Sequence, residues 1–311
     1  WMGKKLDGIL LVDKEEMETS FGAVRKVKSL LKDGRPPKVG HAGTLDPFAS
    51  GLLVVLIGQG TKLFPYLMPG RKVYLATFRL GVETDTLDPT GSVVETKPVP
   101  ALSRQRVEAG AEAFLGRIEQ VPPAYSAVKQ EGKPAYKLAR AGIEVRLRKR
   151  QVTIHSLRIL TVTPPEFTAE IVCSSGTYVR RLASDLSRKL GTVGHLKTLR
   201  RLASGTFDVN DAVHSSKLTG AGGRRLVADN LIPLRKALKE MPEIRVNKSL
   251  AGKFRQGLLP SWEELRRLIP VLPECDKHVM VVSGEELVAI AEVENGEDNG
   301  ERRVTVERVF S

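Results

Sequence analysis

Gly40-His41-Ala42-Gly43-Thr44-Leu45-Asp46-Pro47, closed by Ala49-Ser50-Gly51, runs straight into the apolar segment Leu52-Leu53-Val54-Val55-Leu56-Ile57. Three glycines and a proline predict a shaped loop over residues 38 to 51, and the six apolar residues predict a buried strand. Gly40 and Gly43 permit backbone conformations closed to other residues and allow a ligand to approach closely. Pro47 steers Asp46 out of the helical region. A carboxylate at that point has two readings on spacing alone: an Asx-turn that merely closes the loop, or a reactive acid presented on a stiff segment.

Working outward, Gly8 to Val12 reads as a strand. Thr19-Ser20 is placed to cap a helix that carries Phe21, Val24, Val27, Leu30 and Leu31 on one side. Val73 to Leu80 alternates, with Tyr74, Ala76, Phe78 and Leu80 on one face. A helix is expected from Ser103 to near Gly116, and Phe167, Ala169, Ile171 and Cys173 mark a further strand. Val179, Leu182, Leu186 and Leu190 recur at helical spacing, with Gly191 at the C-terminal cap. Strands and helices alternate without a βαβ rhythm or a GxGxxG turn. The expected fold class is therefore α+β, with a mixed, largely antiparallel central sheet and flanking helices. Beyond Glu243 the pattern shifts to short strands, His278 to Val282, Leu287 to Val293 and Val304 to Val309, which predicts a small β-rich second domain. The expected division is 1–240 and 241–311. Residues 294 to 300 read as an acidic hairpin loop.

The 311 residues carry 49 Lys and Arg against 36 Asp and Glu, a formal charge of +13. Such a surplus favours a polyanionic partner. Residues 129 to 150 concentrate it, with eight Lys and Arg against Glu131 and Glu144. Two distant cysteines, Cys173 and Cys275, form neither a disulfide framework nor a zinc pattern, and they suit a reducing cytoplasm. The longest apolar run is six residues, too short to cross a bilayer. Neither a signal peptide nor membrane association is expected, and the expected location is cytoplasmic.

An ordered set of blocks resembles the TruB family of tRNA pseudouridine synthases. It begins with Lys38 to Pro47 and Ala49-Ser50-Gly51-Leu52-Leu53, then Gly60-Thr61-Lys62, Lys72-Val73-Tyr74 and Leu80-Gly81. It continues with Thr84-Asp85-Thr86-Leu87-Asp88-Pro89-Thr90-Gly91, Val121 to Lys129 and Tyr136 to Arg140. It closes with Ser175-Gly176-Thr177-Tyr178-Val179-Arg180 and Leu199-Arg200-Arg201. The resemblance implies a pseudouridine synthase fold and isomerisation of a uridine at position 55 in the T-loop of tRNA. Asp46 matches the family's nucleophile, its attack falling on C6 of the base or C1′ of the sugar. Arg180 matches the arginine set against that acid. Tyr74 matches a residue that stacks on the uracil and is a candidate for taking the C5 proton, and Tyr178 and Leu199 match the base pocket. His41 matches a contact to displaced T-loop nucleotides, and Lys62 a phosphate contact.

By the same resemblance, residues 129–150 form a basic thumb that closes on the T-arm, and the second domain is like the PUA domain appended to this family. Isomerisation oxidises nothing and loses no group, so no cofactor or metal is expected. The expected partner is the tRNA T-arm, met by a monomer with no obligatory protein partner. Two rivals are a guide-RNA-directed synthase of the same superfamily and a non-catalytic tRNA-binding or folding factor. One block departs from the family: Lys14-Glu15-Glu16-Met17-Glu18-Thr19-Ser20 stands where Lys-Pro-x-Gly-x-Thr-Ser is usual.

Overall fold

A computed structural model describes residues 6–32, 36–126, 128–130, 132–258, 278–295 and 302–310. The Leu52–Ile57 run lies within the strand Ser50–Ile57, and it is apolar throughout because both its faces are covered. Leu52, Val54 and Leu56 point into one core, and Leu53, Val55 and Ile57 into another. The strand sits inside a ten-stranded mixed sheet. Reading across that sheet, Val213–His214 is followed by Gly8–Lys14, Ser50–Ile57, Gly194–Ser204, Lys72–Leu80, Glu166–Cys173, Arg150–Thr163 and Gly116–Gln120. Two neighbouring pairs are parallel, Gly8–Lys14 with Val213–His214 and Ser50–Ile57 with Gly194–Ser204. The other pairs are antiparallel, as expected.

Lys72–Leu80 alternates as read from sequence, burying Lys72, Tyr74, Ala76, Phe78 and Leu80. Its antiparallel partners place Ile171 on one side of Tyr74 and Arg201 on the other. The helix Val179–Lys189 covers this face, burying Val179, Leu182, Ala183 and Leu186, and Gly191 follows with φ +88°. The helix capped by Ser103 ends at Glu112, and Gly116 opens the next strand instead of terminating the helix.

Thr19 caps the helix Ser20–Leu30, its side chain accepting from Gly22 N at 2.9 Å. The buried face of that helix is Ser20, Ala23, Val24 and Val27. Phe21, expected on the apolar side, is 65% exposed. The helix begins with the Ser20 side chain turned inward to the Asp46 loop, so its neighbour Phe21 is rotated toward solvent, where Arg25 lies over its ring.

Glu243–Arg245, His278–Ser283, Glu286–Asn295 and Arg302–Val309 form a separate four-stranded sheet. Met280, Val282, Leu287, Ile290 and Phe310 share a core with Leu11, Leu52 and Leu56 of the large sheet and with Leu63 of the 3-10 turn that follows Ser50–Ile57. Tyr66 Oη donates to Glu307 at 2.6 Å across the same junction. Most of the expected acidic hairpin loop (296–300), Cys275 and Glu131 lie outside the described residues.

Met17 occupies the place of the family motif's glycine and takes φ +62° with its side chain 69% exposed. A left-handed conformation costs a non-glycine residue about 1–2 kcal/mol, and glycine's extra unfolded-state entropy offsets part of that. Met17→Gly is therefore expected to stabilise the fold by up to about 1 kcal/mol, read as a raised urea midpoint at unchanged slope. A lowered midpoint would show that the methionine side chain holds the turn.

Candidate active site

The loop before Ser50–Ile57 is held by groups from four directions. Ser20 Oγ accepts from Leu45 N at 2.8 Å and donates to Leu45 O at 3.0 Å. Lys14, fully buried, donates to Glu15 O at 2.8 Å, Glu18 O at 2.7 Å and Pro47 O at 3.3 Å. Arg201 donates to Leu52 O at 2.7 Å, Gly43 O at 3.0 Å and Thr44 O at 3.4 Å. Ala49 N closes a turn on Asp46 O at 3.1 Å. This is a backbone β-turn and not an Asx-turn: among the described residues the Asp46 carboxylate accepts no backbone N–H and is committed elsewhere.

That carboxylate meets Arg180, which the first turn of Val179–Lys189 projects inward at 4% exposure. A terminal nitrogen of Arg180 donates to Asp46 Oδ1 at 3.1 Å, and Nε makes a close charge contact with Oδ2 at 2.8 Å without hydrogen-bond alignment. The same guanidinium donates to Thr86 O at 2.8 Å and Tyr125 O at 2.9 Å, and it sits 3.3 Å from Asp88 Oδ2. Asp88 is in turn fixed by Thr86 Oγ1 at 2.8 Å, Thr90 N at 3.0 Å and Thr90 Oγ1 at 2.5 Å.

Asp46 keeps 32% of its side-chain surface, the part that opens into a cavity of about 450 Å³. Desolvation raises its pKa above the ordinary carboxylate value; Arg180 opposes this, and the nearby Asp88 adds to it. Tyr74, Tyr178, Leu199, Arg180, Lys72 and Arg201 line the same cavity, with Val128 and Arg150 at the two ends of the basic segment. Tyr178 lies just before the Arg180 helix, and Gln120 grips its backbone N at 3.1 Å. Burial lowers the pKa of Lys72 to about 8, with Arg201 adding to the effect.

Five of the seven residues singled out in the sequence therefore meet in one cavity: Asp46, Tyr74, Arg180, Tyr178 and Leu199. His41 and Lys62 do not line it. His41 belongs to the short strand Val39–His41; its Nδ1 is buried without a hydrogen-bond partner, and burial lowers its pKa, which favours the neutral ring. Lys62 donates to Val309 O at 2.6 Å and Gln59 Oε1 at 3.0 Å and sits over the Phe310 ring, so it fastens the small sheet to the large one.

The family model described as the TruB family pseudouridylate synthase N-terminal domain matches residues 28–179. The model for the tRNA pseudouridylate synthase B C-terminal domain matches residues 180–241. A protein named tRNA pseudouridine synthase B from Clostridium kluyveri is 41% identical over 253 residues, covering 81% of this chain and 85% of its own length. One of the same name from Syntrophus aciditrophicus is 36% identical over 312 residues, covering 98% and 99%. The chain belongs to the TruB family. It is an RNA pseudouridine synthase, an isomerase. Among solved structures, a Cbf5-Nop10-Gar1 complex contains a chain with the same fold, at a TM-score of 0.72 and 23% identity, covering 98% of this chain and 85% of that one.

In this TruB-family site, sequence reasoning gave no role to Asp88, Arg201, Lys72, Lys14 or Ser20. The first three lie inside blocks quoted for the resemblance, and Lys14 and Ser20 flank the departing motif. Lys72 shares a strand face with Tyr74, and Ser20 a helix face with Val24 and Val27, so alternation and helical spacing carried a signal for these two; nothing in the spacing of the others tells that they turn inward.

Because Asp46 binds its proton more tightly in the folded chain than in the unfolded one, its ionisation subtracts stability as pH rises from the unfolded carboxylate value through the folded one. Asp46→Asn is expected to be at least as stable as the wild type at neutral pH, with the advantage vanishing as pH falls below about 4. Paired urea titrations at pH 3.5 and pH 7 check this. A variant less stable at pH 7 than at pH 3.5, relative to wild type, contradicts it.

Proposed function

We propose that the chain converts uridine to pseudouridine at position 55 in the T-loop of tRNA, with the Asp46 carboxylate as nucleophile. The observation that carries this is the Arg180–Asp46 ion pair lining a cavity walled by Tyr74, Tyr178 and Leu199. A volume of about 450 Å³ falls in the ordinary range for small-ligand pockets and is enough for one extruded nucleoside. Arg180 keeps the acid charged in a desolvated setting, so Asp46 attacks without a separate base.

Attack at C6 or C1′ leads to the same outcome. The C1′–N1 bond breaks, the base turns, C5 bonds to C1′, the bond made by Asp46 breaks with its electrons returning to the carboxylate, and the hydrogen lost from C5 is balanced by one gained at N1. Tyr74 stacks on the uracil and faces C5 for proton removal, Tyr178 covers the other side, and Leu199 closes the apolar wall. The names of the curated relatives support tRNA as the substrate.

Flipping the base from a folded loop costs a few kcal/mol. His41 holds the nucleotides displaced by that move, and the basic segment 129–150 folds over the T-arm. Lys133, Lys137, Arg140, Arg148 and Arg150 of that segment are exposed, whereas Lys62 reaches a phosphate only by releasing Val309. Residues 1–240 hold the chemistry, and 241–311 form a PUA-like unit that adds RNA contact. The enzyme acts in the cytoplasm as a monomer, with no guide RNA or protein partner.

Asp46→Asn is expected to bind a T-arm hairpin within about threefold of wild type and to form no pseudouridine, measured with a pseudouridine-specific label since mass is unchanged. Product from this variant would remove Asp46 as nucleophile, and dependence of the wild type on guide RNA would favour the guide-directed reading. Wild-type binding without product would make the chain a binding factor.

Removing one phosphate-binding side chain from the thumb should flatten log Kd against log salt by roughly 0.7–0.9. Lys133→Ala with Arg148→Ala should therefore lower the slope by about 1.5. An unchanged slope would place the phosphates elsewhere.

A further inference from the structure

Arg201 has the largest fully buried side chain among the described residues, at 1% exposure. Its hydrogen bonds to Gly43, Thr44 and Leu52 go to carbonyl oxygens, and among the described residues no carboxylate is paired with it. A buried cation without a counter-charge is costly, so its retention calls for a partner on which the charge acts.

Sheet register supplies that partner. Arg201 stands directly across the antiparallel pair from Tyr74 and across the parallel pair from Gly51. Gly51 takes φ +101°, and a Cβ there would overlap the Arg201 backbone, so the strand that ends the Asp46 loop lies hard against Arg201. On the other side the Arg201 charge acts on the phenol of Tyr74, its register neighbour, and both side chains line the cavity. One side chain thus bonds the loop that presents the acid and stands beside the ring that faces the base.

We propose that Arg201 is a positioning residue that ties the Asp46 loop to Tyr74 and holds the tyrosine oxygen as the acceptor of the proton leaving C5. This rests on the uridine-isomerisation reading above and goes beyond it by assigning what makes Tyr74 competent. In the step itself the C5–H bond breaks and its electrons restore the C5–C6 double bond, expelling the Asp46 carboxylate if it is held at C6 or moving the C6–N1 π electrons onto N1 if it is not. The proton passes to the tyrosine oxygen in its phenolate form, N1 gains a proton from solvent, and the tyrosine then returns its proton to solvent. Burial raises the Tyr74 phenol above its ordinary value and so disfavours the phenolate; the Arg201 charge opposes that rise, and it is this opposing contribution on which the step draws.

The test compares Arg201→Met, Arg201→Lys, Tyr74→Phe and the Arg201→Met/Tyr74→Phe double variant on a T-arm hairpin whose target uridine carries hydrogen or deuterium at C5. Single-turnover rates are measured from pH 6.5 to 9.5, alongside Kd and Tm. Arg201→Met is expected to lower the rate about 100-fold with Kd within about threefold. Both rates should climb with pH, with wild type bending toward a plateau at lower pH than Arg201→Met, and the variant's C5 isotope effect should exceed that of wild type. Arg201→Lys keeps the charge without spanning both partners, so about a tenfold loss is expected, with the same rise in isotope effect. Lysine carries the test if the methionine variant does not fold. In the Tyr74→Phe background Arg201→Met should cost less than about threefold more.

A lower Tm and a smaller active fraction with pH profile and isotope effect unchanged would make Arg201 merely structural and overturn the proposal. So would a full penalty in the Tyr74→Phe background. A wild type that makes no pseudouridine on this hairpin sinks the underlying reading and this one with it; an active wild type with an indifferent Arg201→Met sinks this one alone.

Discussion

One buried guanidinium held between two carboxylates is the constraint around which the site is built. Arg180 bonds two backbone carbonyls and reaches both Asp46 and Asp88 from a position almost sealed from solvent. Taking such charges out of water costs several kcal/mol per ion, and only dense pairing and hydrogen bonding recover it. Asp88 is fully committed, with Thr86 and Thr90 occupying one of its oxygens. Asp46 is not: part of its surface faces the cavity, and its pKa is raised. The two acids share one cation and differ in freedom, so Asp88 is tied by its neighbours while Asp46 faces the cavity.

The rest of the molecule keeps that arrangement rigid. The helix Val179–Lys189 brings Arg180, the strand Lys72–Leu80 brings Tyr74, and the loop before Ser50–Ile57 brings Asp46. Lys14, Lys72 and Arg201 are buried around them. These cations outnumber the site's two acids, a sign of charge suited to a polyanion entering the cavity. Strands buried on both faces make the platform stiff, whereas the basic segment 129–150 rests on a two-residue hairpin and one short helix with exposed side chains. The site is fixed, and the part proposed to close over RNA is lightly anchored.

The apolar run Leu52–Ile57 and the alternation Val73–Leu80 made the central strands legible in the sequence, because burial on two faces and on one face leave different patterns. The Val179–Leu190 spacing likewise placed Arg180 in the first turn of a helix. Phe21 was misplaced because periodicity records which residues are apolar and cannot record that Ser20 is recruited inward by the Leu45 backbone. Arg201 was illegible as a site residue because its importance lies in pairing register, with Tyr74 on one side and Gly51 on the other. Lys62 matched a phosphate contact, yet its bond to Val309 spans 247 positions of chain, a separation no local pattern encodes.

The central claim is that Asp46 is ionised at neutral pH although its surroundings disfavour charge, and that Arg180 makes it so. Carbon-13 NMR titration of the side-chain carboxyl carbons, with Asp46 assigned by comparison with Asp46→Asn, reads this directly. The account predicts a midpoint above the ordinary aspartate value but below neutrality, moving up further in Arg180→Met. A carboxyl group that stays protonated at pH 7 in the wild type, or a midpoint that ignores the loss of Arg180, would contradict it.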